Sequence, residues 1–156
     1  MRIDKNELYM EIAMLTASRT TCARRAVGCV LVDRRGRILS TGYNGVPAGA
    51  PHCNEGNPCP AANAPSGTQL GGCGAIHAEQ NAILFLSDPF AVQTAYVTTF
   101  PCAECIKLLL GTSCQHIVYN NEYPHTDAVD WWTNAGRTMA KWDSPNEARK
   151  RLLKGV

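Results

Sequence analysis

AIHAEQNAILFLSDPFAVQTAYVTTFPCAECIKLLL, residues 75–110, is the segment whose pattern says most about the architecture. Residues 79–86 have helical periodicity that ends at Asp88-Pro89, and residues 93–99 have the pattern of a strand. Residues 102–110 form a second predicted helix, with Pro101 before it and Gly111 near its end. Strands separated by helices need crossover connections, so part of the sheet is expected to be parallel. The segment therefore predicts an α/β fold.

The flanking sequence adds a helix and a hairpin before this segment and alternating elements after it. A helix is predicted over residues 4–19, with Asp4 as its cap and Leu8, Ile12 and Leu15 on one face. The remaining predicted elements are strands at 27–32, 37–43, 116–119 and 137–142, a helix at 127–134, and a basic final helix that starts at Ser144. We expect one domain over residues 1–156, a three-layer α/β/α sandwich around a mixed sheet of about five strands.

Length and composition exclude several classes of protein. The 156 residues are enough for one domain with a real core. The formal net charge of +2 is low for a dedicated nucleic-acid binder, so no nucleic-acid partner is expected. No apolar run approaches the roughly 20 residues that span a bilayer, and residues 1–5 lack the apolar core of a signal peptide. These features predict a cytoplasmic protein without a membrane partner.

Residues 44–74 form a long segment rich in Gly, Pro, Asn and Ala, without visible periodicity. Loops this long inside a compact domain are unusual and are often functional. The chain also carries eight cysteines. Disulfides would suit a secreted protein, whereas metal binding or catalysis suits a cytosolic one, and the missing signal peptide favours the second reading. Cys29 and Cys114 have apolar neighbours and are interpreted as core residues.

Two short motifs carry the chemistry. His77-Ala78-Glu79 and Pro101-Cys102-Ala103-Glu104-Cys105 each lie where a predicted helix begins, and a helix N-terminus favours thiolates. Cys102 and Cys105 can face one point from the first helical turn, and His77 can supply a third ligand. Three protein ligands leave tetrahedral zinc one open position, which is typical of a catalytic site. Glu79 lies close enough to act as a proton shuttle without being a ligand.

The two motifs together match the His-x-Glu and Pro-Cys-x-x-Cys signature of zinc nucleobase deaminases. Either half alone would be weak, because zinc ribbons and redox proteins also use Cys-x-x-Cys. The alternative is a structural zinc knuckle. That alternative leaves Glu79 without a role and needs a fourth protein ligand.

Four segments also resemble the deoxycytidylate (dCMP) deaminases of phages, bacteria and eukaryotes. The resemblance covers about residues 8–142. Its most discriminating part is Gly42-Tyr43-Asn44-Gly45-Val46-Pro47-Ala48-Gly49, since the wider cytidine deaminase superfamily shares only the Gly-aromatic-Asn portion. The other segments are Val27-Gly28, His77-Ala78-Glu79-Gln80-Asn81-Ala82-Ile83, and Pro101-Cys102-Ala103-Glu104-Cys105.

This resemblance implies a cytidine-deaminase-like fold and hydrolysis of dCMP to dUMP and ammonia, which feeds thymidylate synthesis. It implies that Asn44 binds the sugar hydroxyl, that Ala78 and Glu79 hold the pyrimidine edge, and that Tyr123 lies near the substrate. Tyr123 could equally be an ordinary half-buried aromatic. Arg24 and Arg25 are candidates for the 5′-phosphate, although surface arginines are common.

The same family implies regulation and assembly. Its members are typically homohexamers, activated by dCTP with Mg²⁺ and inhibited by dTTP. The segment Gly45-Val46-Pro47 resembles their regulatory nucleotide site, where glycine lets the backbone approach a ligand. A simple tight turn is the other reading of this segment.

Four further cysteines suggest a second zinc. Some relatives pin the long loop with a structural zinc, and Cys22 and Cys53 match two of its ligand positions. Cys59 and Cys73 could complete a closed four-cysteine site, which would help to order the loop. Separate free or buried thiols are the alternative.

Three functional hypotheses follow from these motifs. The first is a free-nucleotide deaminase. The second is a deaminase that edits tRNA or single-stranded DNA, which would want a basic, aromatic-lined groove. The third is a non-catalytic zinc interaction module, which would have no use for Glu79.

Overall fold

The computed structural model describes residues 2–65, 68–123 and 127–144. Within them lie four α-helices, five strands and two short 3-10 turns, at Leu70–Gly72 and Pro89–Ala91. In chain order the elements are α1 (Lys5–Ala17), β1 (Gly28–Asp33), β2 (Ile38–Tyr43), α2 (Ala78–Leu84), β3 (Val92–Thr99), α3 (Ala103–Leu110), β4 (His116–Asn121), α4 (Asp127–Asn134) and β5 (Thr138–Lys141). The predicted final helix after Ser144 lies outside the described residues.

The strands form one mixed sheet in the order β2-β1-β3-β4-β5. Strand β1 pairs antiparallel with both β2 and β3, whereas β3, β4 and β5 run parallel. The parallel half arises because α3 and α4 provide the crossovers between these strands. The sequence prediction of a mixed five-stranded sheet is confirmed.

Helices cover both faces of this sheet. Helix α1 packs on one face against Val30, Val32 and Tyr96. Helices α2, α3 and α4 bury Ala82, Leu109 and Trp132 on the other face, together with Cys29 and Ile117 from the sheet. The α/β/α layering is therefore confirmed, and the larger core lies on the side that carries both chemical motifs.

The apolar face predicted for α1 was wrong for Leu8 and Leu15, although Ile12 is partly buried against the core. Leu8 and Leu15 are 40% and 74% exposed, and the buried residues are instead Tyr9, Met10, Ala13, Met14 and Ala17. Small residues face the sheet here because strand β1 comes unusually close. A Cβ built on Gly28 would lie 1.8 Å from the Ala13 carbonyl oxygen. Close approach of the two backbones therefore selects alanine over leucine. The predicted cap at Asp4 is confirmed, since it accepts a hydrogen bond from the Asn6 amide.

The cysteines assigned to the core are there. Cys29 and Cys114 are fully buried, and burial raises the pKa of both thiols, that of Cys114 to about 11. All eight cysteines are free, which agrees with the non-disulfide reading of their number. In the part of the chain that the structure describes, no helix combines the length and apolarity needed to cross a bilayer.

Candidate active site

Two helix starts bring the predicted zinc ligands together. His77 caps α2 and Cys102 caps α3. The His77 amide donates to the Gln80 side chain at 2.8 Å, which fixes the first turn of α2. Strand β2 lies directly under this turn, because a Cβ on Gly42 would come within 2.2 Å of the Ala78 carbonyl oxygen. The absence of a side chain at position 42 thus sets how closely α2 approaches the sheet.

The geometry of the three side chains fits a zinc ion. His77 Nδ1 lies 3.4 Å from the Sγ atoms of both Cys102 and Cys105. Tetrahedral zinc with Zn–N and Zn–S bonds of about 2.05 and 2.3 Å would separate these atoms by about 3.6 Å. Among the described residues, these three form the one group of His, Cys, Asp or Glu side chains close enough to share a metal.

The ligand set also holds a thiolate. Hydrogen bonds from the Cys105 thiol and the His77 ring lower the pKa of Cys102 to about 4. The shared proton and burial raise the pKa of Cys105, while contact with Cys102 raises the pKa of His77. The N-terminal end of α3 adds a partial positive charge beside both sulfurs. One sulfur is thus already anionic at neutral pH.

Glu79 is placed beside these ligands and away from water. Its side chain is buried, with 4% of the residue exposed. Burial raises the pKa of its carboxyl group to about 7, and the negative charge on Cys102 adds to this effect. A carboxyl group with a pKa near neutrality can both accept and release a proton, which is what a shuttle requires.

A cavity of about 340 Å³ opens above Glu79 and the ligands. This volume falls in the range of small-molecule sites, roughly 300–1,000 Å³. Its walls contain all of the residues that the sequence assigned to substrate binding: Arg24, Arg25, Asn44, Ala78 and Tyr123. The structure therefore brings the predicted catalytic and substrate-binding residues to one place.

Asn44 organises the rim of this cavity. Its Nδ2 donates to the Arg25 carbonyl at 2.7 Å, and its Oδ1 accepts hydrogen bonds from the Val27 amide and the Thr20 hydroxyl. An amide nitrogen carries two hydrogens, so one Nδ2 hydrogen is left for a ligand. Asn44 thus fixes the backbone of the segment that carries Arg25.

The two arginines differ in their partners. Arg24 donates to the carbonyl oxygens of Thr68 and Pro65, at 3.1 and 2.5 Å. Arg25 has a shielded Nη1 that makes no hydrogen bond with a described residue. Sequence reasoning treated the pair as equivalent phosphate candidates, but in the structure Arg24 donates to the long loop, whereas Arg25 lines the cavity and its shielded Nη1 has no hydrogen-bond partner among the described residues. Both arginines are close enough to Tyr123 to influence its pKa, which burial raises.

The predicted regulatory segment lies outside the catalytic cavity. Gly45 pairs with Ile76 through two backbone hydrogen bonds of 3.0 and 2.8 Å, and the Val46 amide donates to the Thr21 hydroxyl. Pro47 is more exposed than Val46 and leads into the surface turn at Ala48. The segment therefore joins Asn44, at the cavity rim, to the protein surface.

The four cysteines of the suggested second zinc are only partly assembled. The Cys53 sulfur accepts a hydrogen bond from the Cys59 amide, and the Cys22 sulfur accepts one from the Arg24 amide. Cys22 and Cys73 line the catalytic cavity. No three of these four sulfurs lie close enough to share a metal in this arrangement.

Sequence reasoning missed several residues of the cavity wall. Residues 62–64 reach it from the long loop, and Val27, Thr99 and Phe100 come from strand ends. The loop residues gave no signal because nothing in an aperiodic segment predicts where it folds back. Thr99 and Phe100 could have been found, since they immediately precede Pro101 and Cys102 at the end of a predicted strand.

Comparison with known proteins agrees with this geometry. The family model for the cytidine and deoxycytidylate deaminase zinc-binding region matches residues 3–121. The chain belongs to the cytidine and deoxycytidylate deaminase family. The family's zinc-binding region thus includes both motifs, and the three clustered side chains are its candidate metal ligands in this chain.

Individual relatives of this family cover the chain to different extents. A deoxycytidylate deaminase of Schizosaccharomyces pombe is 42% identical over 74% of this chain and 36% of its own length. A deoxycytidylate deaminase of Mycobacterium phage D29 is 38% identical over 78% of this chain and 98% of its own length. The chain thus spans nearly all of the phage relative, but only about a third to a half of two yeast relatives.

Solved structures show the same fold. The dCMP deaminase of cyanophage S-TIM5 superposes with a TM-score of 0.70 at 28% identity, over 91% of this chain and 100% of its own. That cyanophage protein has also been solved with dCMP and dUMP, and this form superposes with a TM-score of 0.69. The cytidine-deaminase-like fold expected from the sequence is confirmed.

Proposed function

We propose that this protein hydrolyses dCMP to dUMP and ammonia, and so feeds thymidylate synthesis. The observation that carries the proposal is the arrangement of His77, Cys102 and Cys105 beside a buried Glu79 at the base of one cavity. Relatives named deoxycytidylate deaminases support the choice of substrate. The dCMP and dUMP bound by the cyanophage protein support it further.

His77, Cys102 and Cys105 would hold the zinc ion through one nitrogen and two sulfurs. When bound there, zinc lowers the pKa of a water molecule to about 7 and so makes hydroxide available at neutral pH. The protein contributes a ligand triad fixed by two helix starts. Because the triad is largely buried, the cavity floor offers few competing waters.

Glu79 would move the protons. The attacking water oxygen forms a bond to C4 of the cytosine ring, and the bond from C4 to the exocyclic N4 breaks. Glu79 takes a proton from this water and delivers it to N3, and then carries the second water proton to N4, which leaves as ammonia. The uracil product keeps the proton on N3, so atoms and charge balance. Because Glu79 is buried, bulk water is kept from exchanging protons with its carboxyl group during the transfer.

The remaining cavity residues would orient the nucleotide. The backbone of Ala78 and the Glu79 carboxylate meet the pyrimidine edge, and the spare Nδ2 hydrogen of Asn44 can donate to the sugar hydroxyl. Arg25 offers its unsatisfied Nη1 to the 5′-phosphate. Tyr123 forms part of the wall beside these groups.

A nucleic-acid editing activity would use the same zinc chemistry, but fewer observations favour it. The formal net charge is only +2, and the Gly42–Gly49 motif resembles free-nucleotide enzymes. We expect the protein to act in the cytoplasm, where a pool of free nucleotides supplies the substrate.

An ammonia-release assay distinguishes these activities. The zinc-loaded protein is incubated with dCMP, deoxycytidine, cytidine and a short single-stranded oligonucleotide. We expect kcat/KM for dCMP to exceed that for deoxycytidine, since only the monophosphate can pair with Arg25. Turnover of the oligonucleotide without turnover of dCMP would contradict the proposal.

We also propose regulation by nucleoside triphosphates, with dCTP and Mg²⁺ as activator and dTTP as inhibitor. Gly45, Val46 and Pro47 lie outside the catalytic cavity yet directly follow Asn44. A nucleotide bound there could shift Asn44, whose hydrogen bonds fix the segment carrying Arg25. Activity with dCMP should therefore rise on adding dCTP with Mg²⁺ and fall on adding dTTP.

We further propose that the chain assembles as a homohexamer. Exposed apolar side chains occur on all three helices of one sheet face: Leu84, Phe85, Leu108 and Trp131. Of these four side chains, Phe85 is the most exposed, at 75%. Large apolar side chains that are exposed on the helices of one sheet face are candidates for an association surface.

A second, structural zinc on Cys22, Cys53, Cys59 and Cys73 remains a proposal. It is supported by the backbone amides that already donate to the sulfurs of Cys22 and Cys53, and the amide of Cys59 lowers the pKa of Cys53. The ion would have to draw the four sulfurs closer together than they are here. Metal analysis should then find two zincs per chain, and one after Cys59 is replaced by Ser.

A further inference from the structure

Arg24 ties the long loop, residues 44–74, to the body of the protein. Its Nη1 and Nη2 atoms donate to the carbonyl oxygens of Thr68 and Pro65. Pro65 and Thr68 are also linked to each other, because the Thr68 amide and hydroxyl both donate to the Pro65 carbonyl oxygen. A planar guanidinium suits two acceptors held at a fixed spacing, so the single side chain of Arg24 can hold both Pro65 and Thr68.

The rest of this part of the loop is held by local contacts. The amides of Ala62, Ala64 and Gly72 donate to carbonyls three residues earlier. Among hydrogen bonds between described residues, those from Arg24 are the ones that join residues 55–73 to residues outside the loop. Ala61 is buried and adds an apolar anchor. The position of this stretch therefore depends strongly on Arg24.

The same stretch forms a wall of the catalytic cavity. Ala62, Asn63 and Ala64 line it from the loop side, whereas His77 and Glu79 line it from α2 and the adjoining cap. The chemical groups belong to regular structure and do not need the wall for their placement. Movement of the wall would change how well a ligand is enclosed, without changing the groups that break bonds.

We propose that Arg24 is a positioning residue that clamps Pro65 and Thr68 and thereby holds residues 62–64 as a wall of the substrate cavity. This inference rests on the proposed dCMP activity. It assigns the two neighbouring arginines different tasks. Arg24 donates from both terminal nitrogens to the loop, whereas Arg25, whose Nη1 has no partner among the described residues, is left as the candidate for the phosphate.

The test compares Arg24→Gln and Arg24→Lys with Arg25→Gln, all as full-length zinc-loaded protein. Without ligand, the amides of Ala62, Ala64 and Thr68 should exchange hydrogen about tenfold faster in both Arg24 variants, because neither Gln nor Lys reproduces the planar fork whose two terminal nitrogens reach both carbonyls. The KM for dCMP should rise about tenfold while kcat stays within about twofold of the original. Arg25→Gln should raise KM while leaving the exchange of these amides unchanged.

Two results would overturn the clamp. Unchanged exchange in both Arg24 variants would show that Arg24 does not hold the loop. Faster exchange with an unchanged KM would show that the wall does not contribute to binding. A wild-type protein that fails to turn over dCMP would instead remove the proposed function, and the exchange comparison would still decide whether Arg24 clamps the loop.

Discussion

Glu79 is the residue on which the proposed chemistry depends most. It is buried beside His77, Cys102 and Cys105, and its raised pKa of about 7 suits proton exchange at neutral pH. Glu79→Gln keeps the size and removes the proton relay, so kcat for dCMP should fall by about 10²–10⁴-fold. Bound zinc, measured by mass spectrometry, should stay at the wild-type level. An active Glu79→Gln protein would show that another group carries the proton.

The metal ligands can be distinguished from core cysteines in the same way. Cys105→Ser should lose most of its zinc and its activity, because a hydroxyl is a much poorer zinc ligand than a thiolate. Cys114→Ser is the matched control, since Cys114 is equally buried but belongs to the core between α3 and β4. That variant should keep its zinc even if it is less stable. Equal loss of zinc from both variants would contradict the assignment.

The clustering of His77, Glu79, Cys102 and Cys105 could be predicted from the sequence because the spacing of these residues is itself the signal. The His-x-Glu and Pro-Cys-x-x-Cys motifs each lie at the start of a helix and each supply metal-ligating side chains. A shared metal site is the arrangement that this pattern favours. The different roles of Arg24 and Arg25 could not be predicted. These roles depend on where the aperiodic loop of residues 44–74 folds back against the protein. Two adjacent arginines give no sequence signal of which one the loop will contact.

At the scale of elements, the contact between β2 and α2 places the site. A Cβ on Gly42 would meet the Ala78 carbonyl oxygen at 2.2 Å and the Ala82 amide nitrogen at 2.5 Å. Gly42→Ala should therefore push α2 away from the sheet and lower the free energy of unfolding by about 1–3 kcal/mol. Because His77 and Glu79 lie at the start of α2, kcat should fall as well.

Gly74→Ala serves as the control for this contact, because nothing lies within 4 Å of a Cβ at that position. Chemical denaturation and dCMP turnover of both variants provide the measurement. If Gly42→Ala matches Gly74→Ala in both stability and kcat, the close approach does not position the site.

The elements themselves were largely predictable, whereas the faces they bury were less so. Strand and helix limits followed from periodicity, proline and glycine. The face of α1 was predicted wrongly, because apolar character suggested Leu8 and Leu15 while backbone proximity selected Ala13 and Ala17. Hydrophobicity alone does not report how closely a helix approaches a strand.

At the scale of the whole molecule, the exposed side chains of α2, α3 and α4 predict how chains associate. Phe85→Glu should shift the proposed hexamer toward smaller species in light scattering, since a charge buried at an apolar interface is costly. Leu15→Glu is the control, because Leu15 is 74% exposed on α1, which packs on the other sheet face. Equal assemblies from both variants would place the interface elsewhere.

Incubation of the zinc-loaded protein with dCMP in ¹⁸O-labelled water tests the central claim most directly. If the protein deaminates dCMP hydrolytically, each dUMP formed should carry one ¹⁸O at C4 and be accompanied by one ammonia. Mass spectrometry of the nucleotide and an ammonia assay give both quantities from one reaction. Absence of dUMP, or dUMP without the label, would contradict the account.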